Sequence, residues 1–274
     1  MNAARTKARA KGERGGLLRS LLWFALVAWV LRSLIVAPFS IPSGSMLPTM
    51  AIGDYLFVAK WPYGYSRYSF PFGLPSFDGR IMERLPQRGD IVVFRPPGHE
   101  DQDWVKRVIG LPGDSVAVVH GQVVLNGKPV PRVAAGLAPV RVSPNSPCRA
   151  VYGAAPRLQP LPGGATDCLY PSFRETLPGG PSFITLDQAE TRADEFSPVT
   201  VPAGELFLMG DNRDDSLDSR FQPFEGGIGL VPLDHLVGRA TYRFWSTDGS
   251  ASWLNPISWI TALRGSRIGG SYNP

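Results

Sequence analysis

The sequence predicts a mostly β protein carried on one N-terminal transmembrane helix, with a proline-rich insertion in an antiparallel β-sheet body. An apolar run follows a basic arm at the N-terminus. Beyond it, apolar residues recur with a period of two in short runs. The 30 glycines and 27 prolines among 274 residues favour short strands and turns over long helices. With 43% apolar and 19% charged residues there is material for a packed core. Two cysteines and three histidines are too few for a common four-ligand zinc site, so no metal and no cofactor are expected.

The net charge of +5 is a property of the arm. Residues 1–20 hold six basic side chains against Glu13 alone, leaving 22 of each sign in the rest. A neutral body argues against nucleic acid as a partner, and a basic arm before an apolar stretch is the pattern that keeps an N-terminus cytoplasmic beside anionic lipid. Residues 1–16 are therefore read as a cytoplasmic arm and 17–37 as the anchor, long enough at ~1.5 Å per residue to cross a hydrocarbon layer of about 30 Å. Arg19 and Arg32 sit near its ends, where their heads reach the headgroups, and Pro38 is expected to end the helix. Proline just after Ala37 makes a poor signal-cleavage site, so the anchor is read as retained.

In the body, Asp54 to Ala59, Asp90 to Arg95, Trp104 to Ile109, Ser115 to His120, Gln122 to Leu125, Glu205 to Met209 and Leu236 to Trp245 read as strands. His120-Gly121 and Asn126-Gly127 are tight-turn signals. Residues 129–202 hold 13 of the 27 prolines and are read as an inserted subdomain between two parts of the β domain, 38–128 and 203–274. Cys148 and Cys168, 20 apart within it, are the candidate disulfide of an oxidising compartment, a structural rather than catalytic pair.

Three segments carry candidate chemistry. Just past the anchor, Pro42-Ser43-Gly44-Ser45-Met46-Leu47-Pro48 holds two serines on a constrained backbone, suited to presenting a nucleophile; alone it also reads as a linker. A serine needs a base. His99, His120 and His235 lack a motif-like setting, and of five lysines only Lys60 and Lys106 lie outside the tail and the exposed turn. Lys106, inside an apolar strand, is the better candidate, because desolvation favours the neutral amine; a fall from ~10.4 to near 8 is the shift required. The third segment, Gly210 to Arg220, has four aspartates, but Arg213, Ser216 and Gln222 stand where a calcium loop needs an oxygen ligand, glycine and glutamate. Its acids are read as an ion-pair frame with Arg213, Arg220 and Arg107.

In order, Ser43-Gly44-Ser45-Met46-x-Pro48-Thr49, Arg88-Gly89-Asp90-Ile91-Val92-Val93-Phe94, Lys106-Arg107-x-x-Gly110-Leu111-Pro112-Gly113-Asp114, and Gly210-Asp211-Asn212-Arg213-Asp214-x-Ser216-x-Asp218-Ser219-Arg220 resemble the boxes of bacterial type I signal peptidases. The likeness extends through Gly238-Arg239-Ala240 to Arg267-Ile268-Gly269-Gly270. It implies an antiparallel catalytic domain of signal-peptidase type and a membrane-bound serine endopeptidase that cuts signal peptides from exported preproteins after small, Ala-x-Ala-like residues. On this resemblance Ser45 is the nucleophile, Lys106 the general base, Ser43 an oxyanion donor and Ser216 a hydroxyl orienting the amine. Phe39, Ile41, Pro42, Met46, Leu56, Val93, Trp104 and Val105 line the substrate pockets, and Arg107, Asp211, Asp218 and Arg220 support the site. The implied partners are signal peptides, the lipid bilayer and the secretion translocon. The implied place is the bacterial inner membrane, single-pass, with the N-terminus cytoplasmic and the catalytic domain outside. Apolar residues between Trp61 and Phe77 and between Trp253 and Ile260 are candidates for dipping into lipid. The rival readings are a non-catalytic peptide-binding β-domain and a Ser-Lys processing peptidase of conjugation or pilin type.

Overall fold

Alternating β-branched and aromatic residues set the strands, and the turns between them obey backbone sterics. In the computed structural model, which describes residues 2–149, 151, 157–252 and 254–272, with side chains from Gly16 onward, Asp54–Ala59, Gln122–Leu125 and Glu205–Met209 are strands with the expected ends. Ile91–Phe94, Trp104–Gly110, Ser115–Val119 and Leu236–Ser246 differ from expectation by a residue at one end or both. His120-Gly121 and Asn126-Gly127 have positive φ throughout (48° and 72°, 54° and 74°), the paired left-handed geometry of a two-residue hairpin turn.

Pairing among the described strands is antiparallel, and eight of them form the main sheet. Its order runs Val36–Ser40, Asp54–Ala59, Leu236–Ser246, Ile91–Phe94, Trp104–Gly110, Glu205–Met209, Val231–Pro232, with Gly270–Ser271 added beside Leu236–Ser246. Ile91–Phe94 and Trp104–Gly110 are central and almost wholly buried, because apolar clusters cover both faces: Ile91, Val93 and Val105 pack with Met46, Met50 and Leu56, while Val92, Phe94 and Val108 pack with Leu206 and Leu236. Anything polar on these strands is removed from water.

Residues 129–202 divide between two further sheets. Arg132–Arg141, Thr166–Thr176, Arg157–Pro160 and Ser182–Leu186 pair with one another, whereas Phe196–Thr200 pairs with Ser115–Val119 and so continues the hairpin of Ser115–Val119 and Gln122–Leu125. Cys148 and Cys168 are joined by a disulfide, with Cα atoms 5.5 Å apart.

The helix Asn2–Val30 passes through a wider turn at Leu31–Ile35, and its apolar stretch Gly16–Ile35 is nearly uncovered by the rest of the chain. The anchor expected over 17–37 is two residues too long at its end. Val36 and Ala37 stand in the edge strand Val36–Ser40. A residue before proline is driven out of the α region, and Pro38, which has no N–H to give, is tolerated on a sheet edge. The helix end is docked: Lys60 N donates to Ile35 O (2.9 Å), Tyr65 Oη to Leu34 O (2.9 Å), and Trp29 stacks on Phe70. The side chains of the arm before Gly16, and Trp253, lie outside the described residues.

Candidate active site

The loop between the edge strand and Asp54–Ala59 is closed by its own backbone. Ile41 N donates to Asp54 O and Gly53 N to Ile41 O, both at 2.9 Å, and Met50 N reaches back to Met46 O. Beneath it Asp54 is fully buried and accepts from Ser246 Oγ (2.7 Å), Ala51 N (2.9 Å) and Arg267 Nη2 (2.7 Å). Burial alone would raise its pKa, but the hydrogen bonds and charge of Arg267, with Ser246 and Ala51, outweigh that and hold the carboxylate low. The C-terminal Arg267 therefore braces the serine loop.

The segment after Glu205–Met209 clamps the loop from above. Asn212 N donates to Ser45 O (3.0 Å) and Asn212 Nδ2 to Gly44 O (3.1 Å). A Cβ at Gly210 would lie 2.5 Å from Ser45 O and 2.3 Å from Ser216 Oγ, so only glycine allows this approach.

Lys106 Nζ lies 2.7 Å from Ser45 Oγ; an ammonium donates to the hydroxyl, and a neutral amine accepts from it. Both residues are buried, Lys106 at 3% exposure and Ser45 at 7%. Burial pushes the amine down to about 8, partly offset by Asp218, with Arg220 reinforcing the fall. Lys60 is pushed down further, to about 7, but shares no hydrogen bond with Ser45. The histidines do not serve either. Among the described residues none bonds to Ser45: His235 pairs with Arg95 O (2.7 Å), His120 with Glu195 (2.8 Å), and His99 stacks on Trp104.

Two buried ion pairs frame the dyad. Arg107 holds Asp211 through Nε (2.7 Å) and Nη2 (2.6 Å), and Arg220 holds Asp218 at 2.9 Å through both nitrogens, while Gly210 N donates to Asp218 Oδ2 (3.0 Å). Burial would raise Asp218, but Arg220 overcomes it and keeps the carboxylate ionised. Arg213, read from sequence as part of this frame, pairs instead with Glu175 of the insertion (2.6 Å). The carboxylates of Asp187, Asp194 and Asp214 lie within 4.8 Å of one another, and Asp187 is already bonded to Arg132.

The dyad opens into a cleft whose lining includes Phe39, Ile41, Pro42, Val93, Trp104 and Val105. Ser43 is exposed at its rim. Two expected pocket residues lie elsewhere. Met46 and Leu56, expected in the pockets, are both 0% exposed and lie in the core behind Ile41, Val93 and Val105, since their side chains point to the inner face. Ser216 lines the same cleft as Ser45 and Lys106, its Oγ buried without a partner among the described residues and close to Gly210. Arg149, Val151, Asp214, Asp215, Leu217 and Phe221 also line the cleft, and no local sequence pattern marks them as substrate contacts. Arg149 and Val151 come from the insertion beside Cys148, a proximity set by tertiary structure and carried by no local pattern.

A serine hydroxyl hydrogen-bonded to a buried amine in an open cleft is an arrangement that a serine endopeptidase can use. A family model described as "Signal peptidase, peptidase S26" matches residues 14–245. Proteins named signal peptidase I from Rickettsia typhi and Rickettsia conorii are each 34% identical, over 91% of this chain and 90% of the first and 96% and 93% for the second. A crystal structure of a signal peptidase I from Enterococcus faecalis V583 aligns over 57% of this chain and 97% of its own, with 23% identity and a TM-score of 0.30. The chain belongs to the signal peptidase family, peptidase S26.

Proposed function

We propose that this protein removes N-terminal signal peptides from exported preproteins, with Ser45 as nucleophile and Lys106 as general base. The observation that carries the reading is the 2.7 Å contact between a buried serine hydroxyl and a lysine amine held at about 8. Neutral Lys106 takes the Ser45 proton as Oγ attacks the scissile carbonyl; the C–N bond then breaks, and the Lys106 ammonium returns that proton to the leaving amine. The ester is hydrolysed by a water that Lys106 deprotonates. The Ser45 N–H and the Ser43 hydroxyl, neither bonded within the described residues, are the donors for the developing oxyanion. Once Ser45 is esterified the amine has lost its partner, and the orphaned Ser216 hydroxyl is the group available to hold it.

The apolar residues of the cleft suit small side chains before the cut, with the peptide extended along the strand Val36–Ser40. Residues 16–35 act as the anchor, N-terminus inside, in the inner membrane. Phe72, Leu74, Leu254, Ile257 and Ile260, each more than half exposed, face the lipid surface. The test is incubation of the full chain, in neutral detergent, with a model preprotein, the product mapped by mass spectrometry. We expect one cut after an Ala-x-Ala-like sequence and none by Ser45→Ala. Cleavage that survives Ser45→Ala, or a preprotein bound and never cut, overturns the reading.

A further inference from the structure

Lys60 stands apart from the mechanism. At 4% exposure it is as buried as Lys106, yet its amine has no hydrogen bond and no ion pair among the described residues, only the Phe39 ring at 5.6 Å. The stem of Lys60 is packed away from water while its unpaired amine is left facing a gap, an arrangement that keeps a basic group available to an acceptor entering there. The amine opens on a crevice lined also by Arg32, Arg95, Tyr68, Ser69 and Asp103. Three basic side chains thus face one acid, and that acid is already held by Arg95 Nε at 3.2 Å.

We propose that this crevice binds a phosphate group, taken between Lys60, Arg32, Arg95 and the Ser69 hydroxyl where the anchor leaves the membrane. The proposal rests on the reading of residues 16–35 as a membrane span. Lys60 N is bonded to Ile35 O and Tyr65 to Leu34 O, so the crevice lies at the last turn of the apolar helix, at headgroup depth. Phosphate is the anion concentrated there, and a tetrahedral oxyanion presents enough acceptors for three cations and a hydroxyl at once. Phe70 and Pro71 complete the wall with apolar surface fit for the start of an acyl chain.

The electrostatics agree with an anion-shaped gap. Burial lowers Lys60 first, and Arg32, Arg95 and Arg80 lower it further against the pull of Asp103. A bound phosphate reverses that balance and restores the charge. Phe39 and Asp103 line both this crevice and the substrate cleft, so an occupant would steady the wall against which substrate packs.

The test uses the full chain in neutral detergent at fixed ionic strength. Its unfolding midpoint is followed while inorganic phosphate, short-chain phosphatidylglycerol, or a short-chain diacylglycerol lacking phosphate is added. We expect the midpoint to rise with phosphatidylglycerol and not with diacylglycerol. The half-saturating concentration should be about tenfold higher for Lys60→Met and for Arg95→Gln, the loss of one charge-assisted contact. An equal rise with inorganic phosphate assigns the site to free phosphate; a rise with the lipid alone assigns it to the headgroup. No rise with either, or a rise undiminished in both variants, overturns the proposal. Flotation of the chain on phosphatidylcholine vesicles tests the span separately, and a chain that fails to float refutes the anchor while the titration still reports on the crevice.

Discussion

Lys60 and Lys106 stand at two strands of one sheet, are buried to a similar degree, and have amines pushed down to about 7 and about 8, yet only Lys106 is bonded to Ser45. Lys106 lies inside Trp104–Gly110, opposite Val92, with the serine loop folded over it; Lys60 follows Asp54–Ala59 and opens toward the anchor. Desolvation makes an amine basic in the useful range. The hydroxyl 2.7 Å away turns that basicity into chemistry, and it is placed there by Gly210, Asn212 and the Asp54 brace.

The sharpest way to break this contrast is to remove each amine. Lys106→Ala should lower kcat by at least roughly 10³-fold, and adding Ser45→Ala should cost little more, since the two groups act as a unit. The rate of the unaltered enzyme should climb with pH and level off above about 8, as the ammonium loses its proton. Lys60→Met should leave that limb where it is. A limb that moves with Lys60, in single-turnover rates measured from pH 6 to 10, would exchange the two assignments.

Next in size is the frame. Asp218 and Arg220 are fully buried, and removing one partner strands the other, a loss of about 3–5 kcal/mol in stability. The pair also faces Lys106. Asp218 stabilises the ammonium and Arg220 disfavours it, so Asp218→Asn should move the pH limb below about 8 and Arg220→Met should move it above. A merely structural pair would not shift the two profiles in opposite directions.

The base itself costs stability. Its folded pKa, about 8, lies below the ordinary value of 10.5, so the unfolded chain binds the proton more readily. The penalty is complete below about pH 8 and fades as pH rises to the unfolded value. Lys106→Met should therefore be more stable than the parent at pH 6.5 by up to roughly 3 kcal/mol, with the gain disappearing near pH 10.5. Urea titrations at the two pH values check it; equal gains at both would mean that packing, not charge, is the cause.

Much of this arrangement is legible in the sequence for reasons that can be named. The seven expected body strands follow from alternation to within a residue at each end, and the two hairpin turns from residues that accept positive φ. Lys106 emerges because few lysines are present and one sits among apolar strand neighbours. What stays hidden depends on direction and distance. A two-residue period marks Leu56 as apolar without saying that it faces inward, Val36 looks like more anchor until Asp54–Ala59 pairs with it, and Arg149 reaches the cleft only because the insertion folds back.

The smallest effect separates wall from support. Trp104 lines the cleft with its ring 5.7 Å from the Lys106 amine, whereas Leu56 is packed behind that wall. Trp104→Ala should widen the pocket and improve kcat/KM for a bulkier residue before the cut, relative to alanine, by about tenfold. Leu56→Ala should instead cost about 2–5 kcal/mol of stability and change the preference little, because the cavity opens into the core. If Leu56→Ala altered the preference and Trp104→Ala did not, the core residue would have to reach the peptide, and the cleft wall would have to be redrawn one layer deeper.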